Sequence, residues 1–360
     1  MVTFADPAVA NAINQYNRLT IPKWLDDTVG NATRWLAQAF TSRNPAFVAA
    51  NFLRDVQHAA LIHGIDPGGD LRGFMRNIPP SMATITRNVR GKSAPLKVAE
   101  LGRLDILNTA DRKMLIEQYG PERVMDALYE YFRDNGGETG FVHSKDVAEA
   151  EKEIKRYVAF RTGRVAELAK AAQPSERPGI WLSYAAQKSG AKAIATGLEN
   201  ASKVAENTSR FATFLASLDQ GKSLLVAIDE AKNVTVNFNR RGTATRPLGM
   251  FYVFFNASVQ GAAQIARVAF KNRKRFAKVV ASLAAAGFLD SLLLDFFLAG
   301  SGDDGRDLVV SEYEKRNHLI IPYMGKNGFL KIPLPQGFRA FYGIGSLLHD
   351  LYRGKVRAED

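Results

Sequence analysis

The sequence predicts a mainly α-helical fold: a multi-helix globular assembly with one small C-terminal β-hairpin. Apolar residues recur at three- and four-residue spacing over most of the 360-residue chain, which is the period of amphipathic helices. Proline or a capping residue stands where many of these segments begin, and glycine stands where they end. Towards the C-terminus, two short apolar runs flank a turn-forming segment, which is the pattern of a hairpin.

The composition is that of a folded protein with a proper core. Hydrophobic residues make up 46% of the chain and charged residues 23%, as in ordinary globular domains. The length allows one large domain or two of average size. There is no cysteine, which excludes a disulfide scaffold, a thiolate metal site and a cysteine nucleophile. The first residues lack the apolar core of a secretory signal, so we expect no targeting segment.

Helices are predicted from the N-terminus onward, where Asp6-Pro7 pairs a capping residue with Pro at the first helical position. Loops are expected at Ile65–Gly73 and Lys92–Pro95. Pro79-Pro80 is expected to open a short helix at best, because proline inside a helix removes a hydrogen bond. The further predicted helices are Thr28–Phe40, Pro45–Gly64, Thr109–Tyr119, Pro121–Asn135, His143–Ala172, Ile180–Leu218 (bent near Gly190 and Gly197), Ser223–Val234, Leu248–Phe270, Phe276–Leu298 and Phe338–Tyr352.

The hairpin is predicted from two apolar runs, His318–Pro322 and Phe329–Pro333, joined by a glycine-rich turn. With it, the chain divides into three regions. Residues 1–105 form an N-terminal helical region, and residues 106–300 form a central helical domain that ends in two apolar helices. Residues 301–360 hold a linker, the hairpin and the last helix.

The positive charge is concentrated in one window. The net charge is +12, and the segment Ala231–Leu289 contains ten Lys and Arg but no Asp or Glu. Such a segment favours anionic partners: nucleic acid, anionic lipid or an acidic protein face. The candidate anion-contact residues are Arg240, Arg241, Arg267, Lys271, Arg273, Lys274, Arg275 and Lys278.

The segment Phe276–Gly300 is long and apolar enough to approach a membrane span. Asp290 and Asp295 oppose insertion, since each costs about 2.5–3.5 kcal/mol at a helix centre on insertion scales. The composition favours a helix buried in an all-α core, with both aspartates paired to basic residues. The alternative is a helix that enters a membrane or packs in an oligomer, and its candidate contact residues are Leu289, Leu293, Phe296 and Phe297.

Two further features have a structural and a functional interpretation. Four polar residues between apolar segments could form a ligand site, but helix capping and turn chemistry explain them better: Asn237, Asn239, Arg240 and Arg241. Neighbouring aromatic residues could stack on nucleic-acid bases, but their contiguous apolar run favours core packing: Phe251, Tyr252, Phe254 and Phe255.

The sequence contains no catalytic motif. GxSxG, a P-loop, HExxH and a GxGxxG before a helix are all absent. His58 and His63 are five residues apart, which turns them to different faces of a helix. We therefore expect no catalytic residues, no metal site and no cofactor.

Several segments resemble one family, the helical large polyvalent protein-associated domain of tailed phages, prophages and conjugative elements. The densest likeness runs through Glu199–Ser202, Glu206–Phe211, Gly221, Ala227, Ala231–Gly242 and Phe254–Gly261. It continues in His318–Pro322, Lys331–Gly337 and Phe341–Gly345, and more loosely in Arg43–Phe47 and Asn51–Asp55. Such domains usually lie within far longer polypeptides, so the resemblance implies a fragment, a split gene product or a subunit without its neighbours.

The resemblance implies a non-enzymatic phage or prophage structural protein, a component of the virion interior or of DNA ejection. Expected partners are other virion or ejection proteins, a second copy of the chain, non-specific DNA or an anionic membrane. The expected location is the virion, and after injection the host envelope or cytoplasm. The alternative is a sequence-independent DNA-binding module that escorts incoming DNA. The family has no agreed catalytic residues, so the resemblance implies none.

Overall fold

The computed structural model describes residues 45–138, 164–171, 184, 191–235, 255–300, 310–323, 328–335 and 337–354. The structure is 76% helical, and the described part of the chain contains twelve helices and one two-stranded antiparallel hairpin near the C-terminus. The predicted fold class is confirmed. The helices predicted before residue 45, most of His143–Ala172 and the turn Asn237–Arg241 lie outside the described residues.

The elements follow one another in this order. The helices of the first half are α1 (Pro45–Ile65), α2 (Leu71–Val89), α3 (Val98–Leu101), α4 (Thr109–Tyr119), α5 (Pro121–Asp134) and α6 (Val165–Ala171). Then come α7 (Ala191–Asp219), α8 (Leu224–Asn233), α9 (Phe255–Lys271), α10 (Arg273–Gly300), α11 (Glu312–Asn317), β1 (His318–Tyr323), β2 (Gly328–Pro333) and α12 (Arg339–Tyr352).

Helix α2 corrects the prediction for Pro79-Pro80. Both prolines lie inside one continuous helix, whose start is capped by the Asp70 carboxylate accepting from the Gly73 N–H at 2.8 Å. The helix carries a buried apolar residue on each side of the prolines, Phe74 and Ile85. Packing of both halves against α7 therefore outweighs the local cost of proline, about 3 kcal/mol in a helix interior.

Helix α7 is the centre of the first core. All residues from 207 to 218 are buried, and the rings of Phe211 and Phe214 each lie 5.4 Å from the Phe132 ring of α5. Around them pack apolar side chains of α2, α4, α5 and α8. Gly197, where a bend was predicted, lies inside α7, and a side chain there would meet no atom within 4 Å.

A second core joins α1 to the C-terminal elements. Ile65 at the end of α1, Val268 of α9 and Phe338 before α12 are buried together, with Phe276 of α10 and Phe341 of α12 packed against them. The first core combines α2 with α7, and the second combines α1 with α9, α10 and α12.

The two predicted apolar runs form the hairpin. Strand β1 pairs antiparallel with β2, from His318 opposite Pro333 to Tyr323 opposite Gly328. It lies against α10, where buried Ile320 packs near Leu294. The hairpin thus connects α10 to α12 and allows these two helices to run parallel, with Phe276 beside Phe341 at one end and Asp295 beside Arg353 at the other.

Candidate functional site

The N-terminal end of α10 is strongly positive. Arg273, Lys274 and Arg275 form its first turn, Lys278 follows, and all four are exposed. The first turn contains no acidic residue. Cations at a helix N-terminus are unfavourable, because the helix dipole places positive charge there too. This end of α10 therefore carries a strong positive electrostatic potential, which a bound anionic partner would neutralise.

Two members of the basic set contact the loop between α1 and α2. Lys271 Nζ lies 2.7 Å from an Asp66 carboxylate oxygen, and Arg275 donates to the Asp66 carbonyl oxygen at 3.4 Å. Burial alone would raise the pKa of Asp66, but the hydrogen bonds from Lys271 and from the Gly68 N–H outweigh it and lower that pKa. Lys271 is thus already paired within the fold.

The other candidate cations are distributed differently. Arg267, Arg273, Lys274 and Lys278 are exposed, and none has an acidic partner within 4 Å among the described residues. Arg240 and Arg241 lie outside those residues. The structure therefore brings Arg273, Lys274, Arg275 and Lys278 together at one helix end, with Arg267 on the preceding helix.

The solvent face of α10 is apolar beyond this basic end. Leu289, Leu293 and Phe296 are 55%, 61% and 81% exposed. Together with Lys278, Ser282 and Ala285 they follow a spacing of three and four residues, so they form one stripe along the helix. In the described chain this is the one helix long and apolar enough, by length and composition, to cross a membrane. Only 17% of its most apolar window is buried, so α10 is not the buried core helix that the composition favours.

The inner face of α10 contains both aspartates, but they are not simply paired with basic residues. Asp290 accepts from the Ile320 N–H at 3.0 Å and from the Tyr342 hydroxyl at 2.5 Å. Asp295 lies 3.6 Å from Arg353 and 3.8 Å from buried His349. Because both carboxylates point towards α12 and β1, the exposed stripe is free of acid.

Phe297 does not belong to the exposed stripe. Its ring packs edge-on against Phe329 of β2 at 5.9 Å, beside the buried residues Leu294 and Ile320. Phe297 therefore lies on a different face of α10 from Leu289, Leu293 and Phe296, with which the sequence grouped it. Neighbours in a helical sequence lie about 100° apart around the axis, and Phe296 and Phe297 straddle the boundary between solvent and core.

Helix α12 extends the apolar surface, which the sequence reasoning missed. Ile344, Leu348 and Tyr352 are each at least half exposed and follow a four-residue spacing. The Tyr352 ring lies 6.3 Å from the Phe288 ring of α10, which connects the two exposed stripes. We call this surface, with the basic end of α10, the α10–α12 surface. The α12 part of this surface could have been found in the sequence from the i, i+4, i+8 spacing of Ile344, Leu348 and Tyr352.

A cavity of about 420 Å³ lies between the α1–α2 loop, α8 and α9. At its floor, His63 donates through Nε2 to the Thr213 hydroxyl at 3.1 Å, and that hydroxyl donates to the Ser209 carbonyl at 2.9 Å. Burial lowers the pKa of His63 to about 4, so its imidazole is neutral at neutral pH. Because the Thr213 hydroxyl already donates to backbone, this pair is not arranged as a nucleophile and its base.

A charged cluster around buried Arg210 lies between α1 and α7. Arg210 is 2% exposed, and its Nε donates to the Thr235 hydroxyl at 3.0 Å. The carboxylates of Asp55, Glu206 and Glu138 surround it closely enough to affect its pKa. Burial raises the pKa of Asp55 to about 7, although Arg210 opposes the change. The cluster fits a structural role that joins α1 to α7.

The chain matches no family model, no curated protein and no solved structure. The resemblance to the polyvalent-protein domain therefore stays a prediction. Within the described ranges, no group of three His, Asp or Glu side chains is placed to hold a metal ion. The feature most in need of a partner is the α10–α12 surface, since contiguous exposed apolar area of this kind marks interaction sites.

Proposed function

We propose that the chain is a non-enzymatic structural protein of a phage or prophage, a component of the virion interior or of DNA ejection. Its interaction surface is the α10–α12 surface, through which it contacts the envelope or another ejection component. One observation carries this proposal: in the described chain, the one helix long and apolar enough to cross a membrane leaves most of its apolar window uncovered. An apolar helix face that is exposed to solvent in the single chain is suited to bind a partner protein or a membrane during assembly or delivery.

The chemistry of the rest of the molecule supports a binding role. Two polar clusters, His63 with Thr213 and Arg210 with its carboxylates, have partners within the fold. The cavity beside α8 and α9 is lined by both apolar and charged side chains, and its histidine is neutral and bonded to Thr213. The sequence resemblance supplies the biological setting, since such domains belong to proteins that travel with injected phage DNA.

The composition of virions tests the proposal. Particles of the phage or prophage that encodes the chain are purified on a density gradient and treated with protease. The chain should be present and protected inside them, and it should leave the particles when DNA ejection is triggered. Its absence from purified infectious particles would contradict a role in the virion.

A matched variant separates packaging from delivery. Leu289→Ser, Leu293→Ser and Phe296→Ser together change three exposed side chains and should leave folding and packaging intact. The proposal expects such particles to adsorb normally but to deliver DNA poorly. Normal delivery by the triple variant would show that the α10–α12 surface has no part in ejection.

The alternative, sequence-independent DNA escort, is supported by the exposed cations without acidic partners at the start of α10. DNA binding by this end should weaken steeply with salt, because each neutralised phosphate releases counterions. Arg273→Ala, Lys274→Ala and Lys278→Ala together should reduce the slope of log K against log salt by up to about three. The charge-matched control replaces three exposed cations elsewhere, Arg72, Arg90 and Lys113, and should leave the slope unchanged.

A further inference from the structure

We propose that the partner of the α10–α12 surface is an anionic lipid bilayer, with α10 lying in the plane of the interface between headgroups and acyl chains. This inference rests on the proposed function for its setting, but its physical argument stands on the geometry of the surface. The apolar stripe from Leu289 to Phe296 and the second stripe on α12 lie side by side, bridged by Phe288 and Tyr352. Two parallel helices thus offer one broad apolar surface.

The charges around this surface match a bilayer. Lys274, Arg275 and Lys278 are exposed at one end of α10. At the other end of the helix pair, Arg353 is 55% exposed and lies 3.6 Å from Asp295. From Lys278 to Phe296 the helix rises roughly 27 Å at 1.5 Å per residue. An exposed basic end followed by an exposed apolar stripe favours a helix along the headgroup layer, because the cations meet phosphates while the apolar side chains reach the acyl boundary.

A second copy of the chain would fit less well. The exposed stripe of α10 contains no acidic residue, since Asp290 and Asp295 both face inward. If two copies of the surface met, Lys274 and Lys278 would find no carboxylate on the facing stripe. Anionic lipid supplies that negative charge at every position, so charge complementarity favours the bilayer over self-association.

The packing of α10 favours an in-plane helix over a spanning one. The backbones of α10 and α12 touch at Gly287 and Gly345, where an added side chain would overlap the facing carbonyl oxygens. Buried Ser291 donates to Ser346 across this contact at 2.9 Å, and Asp290 accepts from both α12 and β1. A spanning α10 would have to break these contacts and expose the carboxylates to lipid, at the cost of desolvating them. Lying in the interface leaves every one of them in place.

Vesicle flotation tests the identity of the partner. The full chain is mixed with vesicles of phosphatidylcholine alone, or of phosphatidylcholine with phosphatidylglycerol. It should float only with the anionic vesicles, and less at high salt. Leu289→Ser, Leu293→Ser and Phe296→Ser together should lower the partition coefficient by more than about tenfold, since three exposed apolar side chains lose their burial. The control variant carries Ser at three exposed apolar positions away from the α10–α12 surface, Met75, Val98 and Met114. It should float like the wild type.

Single labels test the orientation, which the absence of cysteine makes simple. A quencher-sensitive fluorophore is placed at Leu289→Cys or Phe296→Cys, with Met114→Cys as the control. Lipids brominated at different depths should quench the first two labels to the same shallow depth and leave the control unquenched. A deep label at one position and a shallow label at the other would overturn the in-plane arrangement.

The outcomes separate this inference from the proposed function. If the wild type forms a dimer that the triple serine variant abolishes, and neither binds vesicles, the bilayer inference is wrong while presence in virions is unaffected. Equal flotation with neutral and anionic vesicles would also overturn it, because the basic end would then play no part. If the chain binds anionic vesicles as described but is absent from virions, the inference stands and the proposed function fails.

Discussion

Gly345 of α12 lies directly against the backbone of Ala284 of α10, with no space between them for a side chain. Gly287 of α10 meets the Tyr342 carbonyl in the same way one turn further on. Two parallel helices approach this closely only where one of them lacks a Cβ atom. The contact positions both stripes of the α10–α12 surface relative to each other, so the shape of that surface depends on two glycines that it does not expose.

Gly345→Ala should destabilise the protein by about 1–3 kcal/mol, the usual cost of overpacking a close contact. The added methyl group overlaps the Ala284 carbonyl oxygen, and both helices must move apart to accept it. Urea denaturation followed by circular dichroism measures the change. Gly197→Ala is the control, because a Cβ there meets nothing within 4 Å and alanine has the higher helix propensity. Equal stability of the Gly345→Ala variant and the wild type would contradict the close packing.

Phe296→Ala and Phe297→Ala should differ sharply although the residues are neighbours. Phe296 is 81% exposed, so its replacement should change the free energy of unfolding by less than about 0.5 kcal/mol. Phe297 packs on Phe329, and its replacement should cost about 2 kcal/mol from lost core contacts. Thermal unfolding of the two variants checks this. A larger loss at Phe296 would mean that its side chain is covered in the protein in solution.

The ion pair between Arg87 and Asp126 should contribute measurably to stability. Asp126 is 2% exposed and accepts from Arg87 Nε at 3.1 Å and Nη2 at 2.8 Å, while its second oxygen accepts from the Ala94 N–H at 2.9 Å. Asp126→Ala leaves these donors unsatisfied and should cost about 2–3 kcal/mol. The exposed pair of Arg133 and Asp134 is the comparison, and Asp134→Ala should cost less than about 1 kcal/mol. Similar losses in urea denaturation would contradict the difference in burial.

The sequence predicted the elements whose signals are local. The hairpin followed from two apolar runs around a glycine-rich turn, and these runs are strands β1 and β2. The junction of α4 and α5 followed from Gly120, which has a positive φ of 83°, and from Pro121. Pro79-Pro80 was misjudged because the compensating energy comes from α7, more than a hundred residues away, and no local pattern reports it.

The candidate site was predictable only as a set of residue types. The absence of acid before Asp290 correctly located the basic end of α10, because charge is visible in sequence. Which apolar side chains face solvent depends on what packs behind the helix. Phe297 is turned inward by Phe329, and Ile344 of α12 is turned outward by the contact at Gly345, so both assignments required the tertiary structure.

Two groups, half-buried Asp55 and buried His63, should give the stability opposite dependences on pH. Burial raises the pKa of Asp55 to about 7, so the folded protein keeps a proton that the unfolded chain releases near pH 3.8. Its contribution to stability is therefore full below that lower value and is lost as the pH rises through about 7. Burial lowers the pKa of His63 from 6.5 to about 4, so its contribution is present above 6.5 and is lost as the pH falls through about 4.

Asp55→Asn should therefore change the shape of the pH profile of stability. The variant keeps the pH-dependent contribution of His63 to stability and loses that of Asp55, which has the opposite sign. Its free energy of unfolding should therefore rise more steeply than that of the wild type between about pH 4 and pH 8. Urea denaturation at several pH values measures this, with Asp134→Asn as the control, since its carboxylate is 66% exposed. The charged neighbours of Asp55, which are Arg54, Glu206 and Arg210, are unchanged in both variants. Parallel profiles for the wild type and Asp55→Asn would show that Asp55 titrates alike in the folded and unfolded states, and would contradict the raised pKa of Asp55 in the fold.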